Sequence, residues 1–529
     1  MADKTSVLIV GSGPTGLVMA NCLKDLEISV RIIDRLPHPR ITSRAFTIHA
    51  RTLELLGQVG LADKFLAKGI KTLTMDYHFP LKDDTPQLDF TQLDSVFPFC
   101  LTINQADTEA ILRQHLHLQG INVEWNVGLE SFTIKDSGGI EAKIYSNDTD
   151  SSEIIEADWL IGCDGFASTV RQQLGISLDG DEYGGTMRMM DVRLTGFEPS
   201  DTAMHYFVAK EEMVLINKLP GENYRVVISD KTQGVPPEEA KAAFQAILDR
   251  RFDGTVKVGD PDWATNFKIS KRQVSSYHRG NVFLAGDAAH VNSPAGGQGM
   301  NVSMQDAFNL SWKLAMVIKD EANSTLLDSY ESERAPIASQ MLEGTNYIHS
   351  IIMAHGRGME ERIERMRGGE WNKEAVNQVA GISYTYRNRS ASDLAVGDRA
   401  PDAAISFQNR IYNLINADGY TLFLFIGDRP NIDCFMQLAK LSQTIISQFK
   451  AKITPWIIVP QNFASQIAQE NSYTIKDYGT MHNLYRVPNN RALFVLRPDC
   501  HIDYIGSPED KDALLIHLSK NLKKRSIDG

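Results

Sequence analysis

Six residues near the N-terminus restrict the fold more than any other part of the chain. Gly11-Ser12-Gly13-Pro14-Thr15-Gly16 lies between a short apolar, β-branched run, Ser6 to Val10, and a segment, Leu17 to Leu26, whose apolar residues recur at helical spacing. A second strand, Val30 to Ile33, follows. Strand, glycine turn, helix and strand within about 30 residues is the minimum crossover that lays two strands parallel. In this spacing Gly11 permits a tight turn, Gly13 lets the backbone approach a pyrophosphate, and Gly16 allows the helix to pack closely on its strand. Pro14 and Thr15 stand at the opening of that helix, whose N-terminus offers unpaired N–H groups and a partial positive charge. Asp34 closes the second strand 18 residues after Gly16, where an acidic side chain accepts hydrogen bonds from an adenosine ribose, and Arg35 follows it. The motif points to a dinucleotide without separating NAD from FAD.

The chain has room for such a domain and more. At about 100–200 residues per domain, 529 residues call for several units. Apolar residues make up 43% and charged residues 23%, an ordinary globular balance that excludes collagen, disorder and a bundle of membrane helices. No stretch approaches the about 18 apolar residues of a membrane span. The N-terminal apolar run is broken at Gly11 to Thr15, too early for a secretory leader. With 54 Lys and Arg against 66 Asp and Glu, the net charge of −12 disfavours polyanions, so nucleic acid is not expected as a partner. Five cysteines without a CxxC or a Cys/His ligand spacing predict neither a disulfide framework nor a structural zinc, and no metal is expected. These features predict a soluble, cytoplasmic protein with no membrane partner.

Further along, a helix is predicted from Asn104 to Leu118 with Asn104 as its cap. Residues from about 140 to 163 read as strands ending in the buried-looking run Trp159 to Cys163. Between about 185 and 270, short alternating runs such as Val192 to Leu194, Met213 to Ile216 and Arg225 to Ile228 predict a mostly antiparallel β insertion. Val282 to Ala285 returns to a buried strand, followed by a glycine-rich turn and a long helix from about Gly299 to Val317. After a polar stretch near Arg387 to Asp398, a further α/β unit carries apolar runs at Leu422 to Ile426, Trp456 to Val459 and Ala492 to Leu496. Lys523, Lys524 and Arg525 read as a solvated tail.

Two later motifs add to the first. Asp164-Gly165-Phe166-Ala167-Ser168-Thr169-Val170-Arg171 ends the strand Trp159 to Cys163, and Gly280-Asn281-Val282-Phe283-Leu284-Ala285-Gly286-Asp287-Ala288-Ala289-His290 runs into Pro294-Ala295-Gly296-Gly297-Gln298-Gly299-Met300-Asn301. In this order and at these separations the three motifs resemble those of the single-component FAD-dependent aromatic hydroxylases, the group containing para-hydroxybenzoate and phenol hydroxylases, over about the first 345 residues. The C-terminal unit, with Gly397-Asp398-Arg399-Ala400-Pro401 and Arg497-Pro498-Asp499, resembles the thioredoxin-like extension of the phenol hydroxylase and polyketide hydroxylase branch. The resemblance implies an α/β fold. A Rossmann-like FAD-binding domain would comprise residues 1–75, 100–180 and 275–345, with an inserted, mostly antiparallel β substrate domain at 76–99 and 181–274. A helical linker at 346–390 and a C-terminal thioredoxin-like α/β domain at 391–529 would complete the chain.

The same resemblance implies a site. FAD would be held by Gly11, Gly13, Pro14, Thr15, Gly16, Asp34 and Arg35, by Arg44 and Gln105, which match flavin-contacting residues, and by Gly286 and Asp287 near the ribitol and pyrophosphate. Asp164, with Arg171, would serve FAD and the transient reductant, NADH or NADPH; an ion pair between the two is the bland alternative. Pro294, Gly297, Gly299, Met300 and Asn301 would border the isoalloxazine, with the helix N-terminus facing the ring atoms that gain negative charge on reduction. Pro294 would form a rigid wall at the flavin face, and no other catalytic residue is assigned. Some phenol hydroxylases carry an acid after the alanine matched by Ala45; this chain has Phe46. His290 reads as a local hydrogen-bonding residue, and Glu109 shares a helix face with Gln105 or partners Arg113. Candidates for the substrate wall are Phe46, Met189, Tyr206, Phe207, Met213 and Tyr224, weighed against plain core packing.

The implied reaction is hydroxylation of a phenolic or polycyclic aromatic small molecule by O₂ through a flavin C4a-hydroperoxide, in a pocket that excludes water. A Baeyer–Villiger or antibiotic-inactivating flavin monooxygenase is a neighbouring reading. A flavin-holding interaction protein is a reading of another class, opposed by the complete loop Pro294 to Asn301. Without a CxxC, the C-terminal unit with its separate Cys434 and Cys500 is expected to be structural, packed on the flavin domain or at a homodimer interface.

Overall fold

The computed structural model describes residues 3–41, 45–79, 85–209, 213–229, 239–291, 297–353, 359–367, 369–387, 393–406, 409–427, 429–464, 473–487 and 491–525. The chain divides into two units, one made of Met1–Asn21, Ser29–Ala307 and Ala338–Ser383, the other of Cys22–Ile28, Phe308–Ile337 and Tyr384–Gly529.

In the first unit the β-branched run forms the strand Asp3–Val10, and the glycine turn leads into the helix Pro14–Asp25. That strand lies between two parallel neighbours, Val30–Ile33 and Ser151–Gly162, and the latter pairs in parallel with Val282–Leu284. The register aligns Val10 with Ile33 and Gly162, and Gly162 with Leu284. All three motifs therefore leave the sheet at one edge, beyond the carboxyl ends of its parallel strands, where open α/β sheets bind their ligands. Antiparallel strands Val127–Ile134, Ile140–Ser146 and His278–Arg279 complete the sheet. The helix Gln105–Leu118 begins after Asn104 as expected, but the Asn104 side chain makes no capping bond.

The β insertion is an eight-stranded sheet in the order His290–Val291, Lys257–Val274, Leu178–Thr195, Tyr224–Ser229, Met213–Lys218, Ala203–Val208, Thr74–His78, Gln87–Asp89. Every pairing is antiparallel except that of Ala203–Val208 with Thr74–His78. Successive side chains point to opposite faces, so the sheet bears two cores. One face gathers Met75, Tyr77, Met187, Met189, Met204, Tyr206, Met213, Leu215 and Val227 against Ile363, Met366 and Val376 from the helices Met359–Arg367 and Gly369–Val379. The opposite face packs Val192, Val214, Tyr224 and Val226 on Phe244, Ile247 and Leu248 of the helix Ala240–Phe252. The segment expected as a linker thus supplies two helices to the β core, because their apolar stripes cover its methionine-rich face.

The second unit centres on a five-stranded sheet in the order Thr474–Asp477, Ile453–Pro460, Tyr420–Phe425, Ala492–Leu496, Ile502–Gly506, parallel for the first three strands and antiparallel thereafter. One face packs Leu422 and Leu424 on Phe435 and Leu438 of the helix Ile432–Gln448 together with Trp312, Met316 and Leu326. The expected boundary at 391 therefore shifts: Phe308–Ile337 belongs to this unit because its apolar side chains fill the same core. A largely buried cluster also unites these segments. Glu333 binds Lys313 and Arg497, and Arg497 also binds Asp499. The basic C-terminus is not a loose tail, since Lys523 pairs with Asp320 and Arg525 donates to the Phe449 carbonyl. All five cysteines are free thiols.

Candidate functional site

The sheet edge opens on a cavity of about 960 Å³ lined by residues of the first unit. Gly11, Gly13, Pro14, Thr15, Asp34 and Arg35 line it, as do Gln105, Asp164 and Asp287, and then Gly297, Gly299 and Met300. From the β insertion come Met75, Tyr77, Met187, Met189, Met204, Tyr206, Met213, Leu215, Val227, Trp263 and Phe267, joined by Phe46 and Val379. The dinucleotide motif and the methionine-rich sheet face thus border one space. Arg44 and Pro294 lie outside the described residues.

The glycine turn has the shape its spacing implies. A Cβ on Gly16 would stand 1.9 Å from the Gly11 carbonyl oxygen, so helix and turn close only with glycine there. A Cβ on Gly13 would meet nothing within 4 Å, which leaves its backbone open to a phosphate group. Asp34 is fixed from both oxygens: Oδ2 accepts from the Ser12 backbone N–H and hydroxyl at 2.8 Å each, and Oδ1 from the Leu36 N–H at 3.0 Å. These bonds shape the turn and set the carboxylate at the cavity wall.

The glycine-rich loop is organised by a side chain outside the cavity lining. Asn301, 2% exposed, accepts from the His49 N–H at 2.9 Å and donates to the carbonyls of Thr47 at 3.0 Å and Gly297 at 2.9 Å. Gly297 sits at φ +65°, where a Cβ would fall 2.1 Å from the Thr47 hydroxyl, so both conformation and space demand glycine. The helix Gly299–Ile318 starts here, and its first two residues line the cavity, bringing the positive end of its dipole to the wall. Gly286 borders the same region: its N–H donates to Asp306 Oδ2 at 3.1 Å, and a Cβ would lie 2.5 Å from the Thr15 hydroxyl.

His290 Nε2 and Asp306 Oδ2 lie 2.7 Å apart with both side chains fully buried, so the histidine bonds to the helix Gly299–Ile318 and not only within its own turn. Asp164 accepts from Ser168 Oγ at 2.5 Å and from the N–H groups of Thr169 and Val170, at the start of the helix Thr169–Gln173. Burial pushes its carboxyl up against these bonds. Arg171 donates to the carbonyls of Ala288 and Phe166 at 3.1 and 2.7 Å, so among the described residues it makes no ion pair with Asp164. Gln105 donates to Glu109 at 2.8 Å, and Arg113 approaches the same carboxylate at 3.7 Å. Burial raises the Glu109 carboxyl.

Of the expected substrate wall, Phe46, Met189, Tyr206 and Met213 line the cavity. Phe207 and Tyr224 do not. They pack on the opposite face of the sheet, around Phe197 and against the helix Ala240–Phe252. Tyr206 and Phe207 are neighbours on one strand and cannot share a face. Tyr206 stacks on Tyr77 with centroids 4.9 Å apart, and Tyr77 is not among the residues expected from side-chain type. It is legible in the alternation of Met75 and Tyr77 with Asp76 and His78. Trp263 joins through a guanidinium: Arg225, bound to Asp191 by two bonds of 2.7 Å, lies 5.2 Å from the Phe46 ring centroid and 5.6 Å from that of Trp263. No local signal marks this bridge.

Comparison with known proteins agrees with this geometry. A family profile described as an FAD binding domain matches residues 4–345. Pentachlorophenol 4-monooxygenase of Sphingobium chlorophenolicum is 38% identical over 508 residues, covering 94% of this chain and 93% of that protein. The anhydrotetracycline hydroxylase OxyS from Streptomyces rimosus superposes with a TM-score of 0.77 at 26% identity, covering 97% of this chain and 98% of OxyS. The flavin-dependent monooxygenase PieE, solved with FAD and substrate, shares the fold at a TM-score of 0.80 and 19% identity, over 98% of this chain and 99% of PieE. An open phosphate cradle, a helix N-terminus at the wall and an apolar chamber are what an FAD-dependent oxygenation of an aromatic ring requires, and the chain belongs to the flavin-dependent aromatic monooxygenases built on this FAD binding domain.

Proposed function

We propose that the chain uses a nicotinamide reductant and dioxygen to hydroxylate a phenolic or polycyclic aromatic compound. The observation that carries this reading is the single cavity shared by the glycine turn and the methionine-rich sheet face. Relatives named for a chlorinated phenol and for an anhydrotetracycline support the substrate class. FAD, when bound and reduced, supplies the activation of dioxygen. The chain's residues hold it, keep water out and position the ring.

The open backbone at Gly13 and the fixed Asp34 carboxylate would take the pyrophosphate and ribose, and Gln105, Asp164 and Asp287 would border the remainder. The helix Gly299–Ile318, whose first residues line the cavity, would turn its positive end toward charge that develops on reduction. Met75, Met187, Met189, Met204 and Phe267 would give an apolar chamber that limits water at the flavin face, and the unbranched methionines would adapt to flat ligands of different size. Tyr77 and Tyr206 are pushed up by burial, so at neutral pH they keep their protons and act as donors and stacking surfaces, not as bases. Tyr206 already directs its hydroxyl at the Met204 sulfur, 3.3 Å away.

The test is oxygen uptake and oxidation of NADH or NADPH by the FAD-loaded protein with a panel of phenols and fused-ring aromatics, using labelled dioxygen. Substrate-dependent uptake, with one labelled oxygen on a ring carbon, is expected. Stoichiometric FAD without substrate-stimulated uptake anywhere in the panel would overturn the reading and favour a flavin-holding protein.

A further inference from the structure

Behind the stacked tyrosines, on the opposite face of the sheet, three metal-ligating side chains meet. Thr74–His78 and Ala203–Val208 run parallel with Asp76 opposite His205 and Tyr77 opposite Tyr206. Strand alternation that sends Met75, Tyr77, Met204 and Tyr206 into the cavity sends Asp76, His78 and His205 the other way. His78 Nε2 and His205 Nδ1 face each other at 3.1 Å, Asp76 Oδ2 lies 3.9 Å from His205 Nδ1, and one ligand atom from each residue falls within 4.8 Å of the others. We infer that Asp76, His78 and His205 form a binding site for a divalent transition-metal ion of the zinc class, which clips the sheet's parallel strand pair together.

Four features carry the inference. Ligands about 2.0–2.1 Å from a tetrahedral Zn²⁺ stand about 3.3 Å from one another, and the two ring nitrogens are within a few tenths of an ångström of that spacing. Asp76 Oδ1 is buried without a hydrogen-bond partner among the described residues, in a carboxylate beside two imidazoles whose nitrogens face each other; a cation between them would give that carboxylate a partner. Each histidine also has an oxygen at its other ring nitrogen. His205 Nε2 lies 3.4 Å from the Ser200 carbonyl and His78 Nδ1 3.5 Å from the Thr85 hydroxyl, the outer contacts that fix tautomer and ring orientation in His-ligated metal sites. Finally, the pocket is walled by rings: Phe207 stacks on His78 at 4.5 Å and Phe197 meets His205 edge-on at 6.2 Å, an apolar shell that restricts competing water. Two imidazoles and one carboxylate suit zinc better than magnesium or calcium, and leave a fourth position for solvent on the side where His78 is partly exposed. Residues of two segments far apart in sequence would thereby be joined directly behind the Tyr77–Tyr206 wall of the cavity.

The experiment uses the full-chain, FAD-loaded protein, stripped with a chelator and then titrated with Zn²⁺ or Co²⁺ alone. The wild type should retain about one Zn²⁺ per chain after dialysis, melt at a higher temperature with Zn²⁺ than with chelator, and give Co²⁺ spectra of tetrahedral type. Asp76→Asn, nearly isosteric, and His78→Asn should each weaken Zn²⁺ binding about tenfold or more while retaining FAD. Failure of the wild type to retain Zn²⁺, octahedral Co²⁺ spectra, or unchanged Zn²⁺ affinity in both variants would overturn the site and leave a hydrogen-bonded His–His contact only. The Co²⁺ spectrum of the wild type decides the matter even if both variants misfold.

Discussion

Replacing Glu333 by Gln asks whether the buried cluster of the second unit is held by charge or by shape. The Glu333 carboxylate accepts from Lys313 Nζ at 2.7 Å, Arg497 Nη1 at 2.5 Å, Arg497 Nη2 at 2.9 Å and Asn309 Nδ2 at 2.8 Å. Asp499 binds the same guanidinium, so two cations face two carboxylates. Glu333→Gln keeps the volume but leaves Lys313, which burial already lowers to about 8, and Arg497 with Asp499 alone, so that either a net positive charge is buried or Lys313 gives up its proton. Breaking one partner of a buried ion pair costs about 3–5 kcal/mol. A second route gives a similar figure. Burial alone would raise the Glu333 carboxyl, yet Arg497 and Lys313 hold it down at about 2, against an ordinary 4.5. At about 1.4 kcal/mol per tenfold change in proton affinity, that fall is worth about 3 kcal/mol. Glu333→Gln/Lys313→Met restores neutrality around an intact Arg497–Asp499 pair and should cost at least about 1 kcal/mol less than the sum of the two single variants. Hydrogen exchange in peptides covering Ala492–Leu496, the strand that leads into Arg497, reads the local opening free energy in each variant. A loss below about 1 kcal/mol in the single variant, or simple additivity in the double, would refute the charge argument.

Other measurements test other links of the chain. Glu333 and Asp499 titrate lower in the folded than in the unfolded protein, so their stabilisation is complete above the ordinary carboxylate range and is lost as pH falls from there through the folded value, about 2 for Glu333; exchange protection in the second unit should drop below about pH 4.5, and a flat profile down to about pH 2 would count against the cluster. Gly13→Ala should leave the melting temperature of the FAD-free protein unchanged but weaken FAD binding, whereas Gly16→Ala should lower both; equal effects would mean that the Gly13 backbone meets no phosphate. Asn301→Ala removes bonds to His49, Thr47 and Gly297 and should cost about 2–4 kcal/mol with loss of FAD, measured by thermal melting and flavin fluorescence. Met189→Trp, which fills the chamber, should raise KM for fused-ring substrates more than for simple phenols while FAD content stays constant.

What the sequence revealed, it revealed through short-range chemistry. The turn at Gly11 to Gly16 and the three strand ends were legible because each motif carries its own backbone demand, and register then placed them at one edge. Phe207 and Tyr224 share side-chain type with the cavity residues but not their face, and parity along Ala203–Val208 separates Tyr206 from Phe207 without any structure. Val379 could not be found this way. It reaches the cavity only because a distant helix covers the sheet, and the bridge by which Arg225 joins Phe46 to Trp263 links segments that no local pattern connects. Trp312 and Met316 look like core residues of any helix, and nothing local says which sheet they serve.

The composition of the second unit also sets a timetable. Its core draws on Trp312, Met316 and Leu326 together with strands that end at Gly506, and on the helix Lys511–Asn521 near the last residues made. During synthesis Trp312 must wait for almost 200 residues to emerge before its core is complete, and Lys313 and Glu333 wait a shorter but still long interval for Arg497 and Asp499. Chains interrupted in this interval would display unpaired charge and apolar surface, the features that recruit chaperones and proteases. Expression as two separate pieces, split between Ser383 and Tyr384, would leave Phe308–Ile337 on one piece and the strands it packs against on the other, so neither piece would carry that core whole.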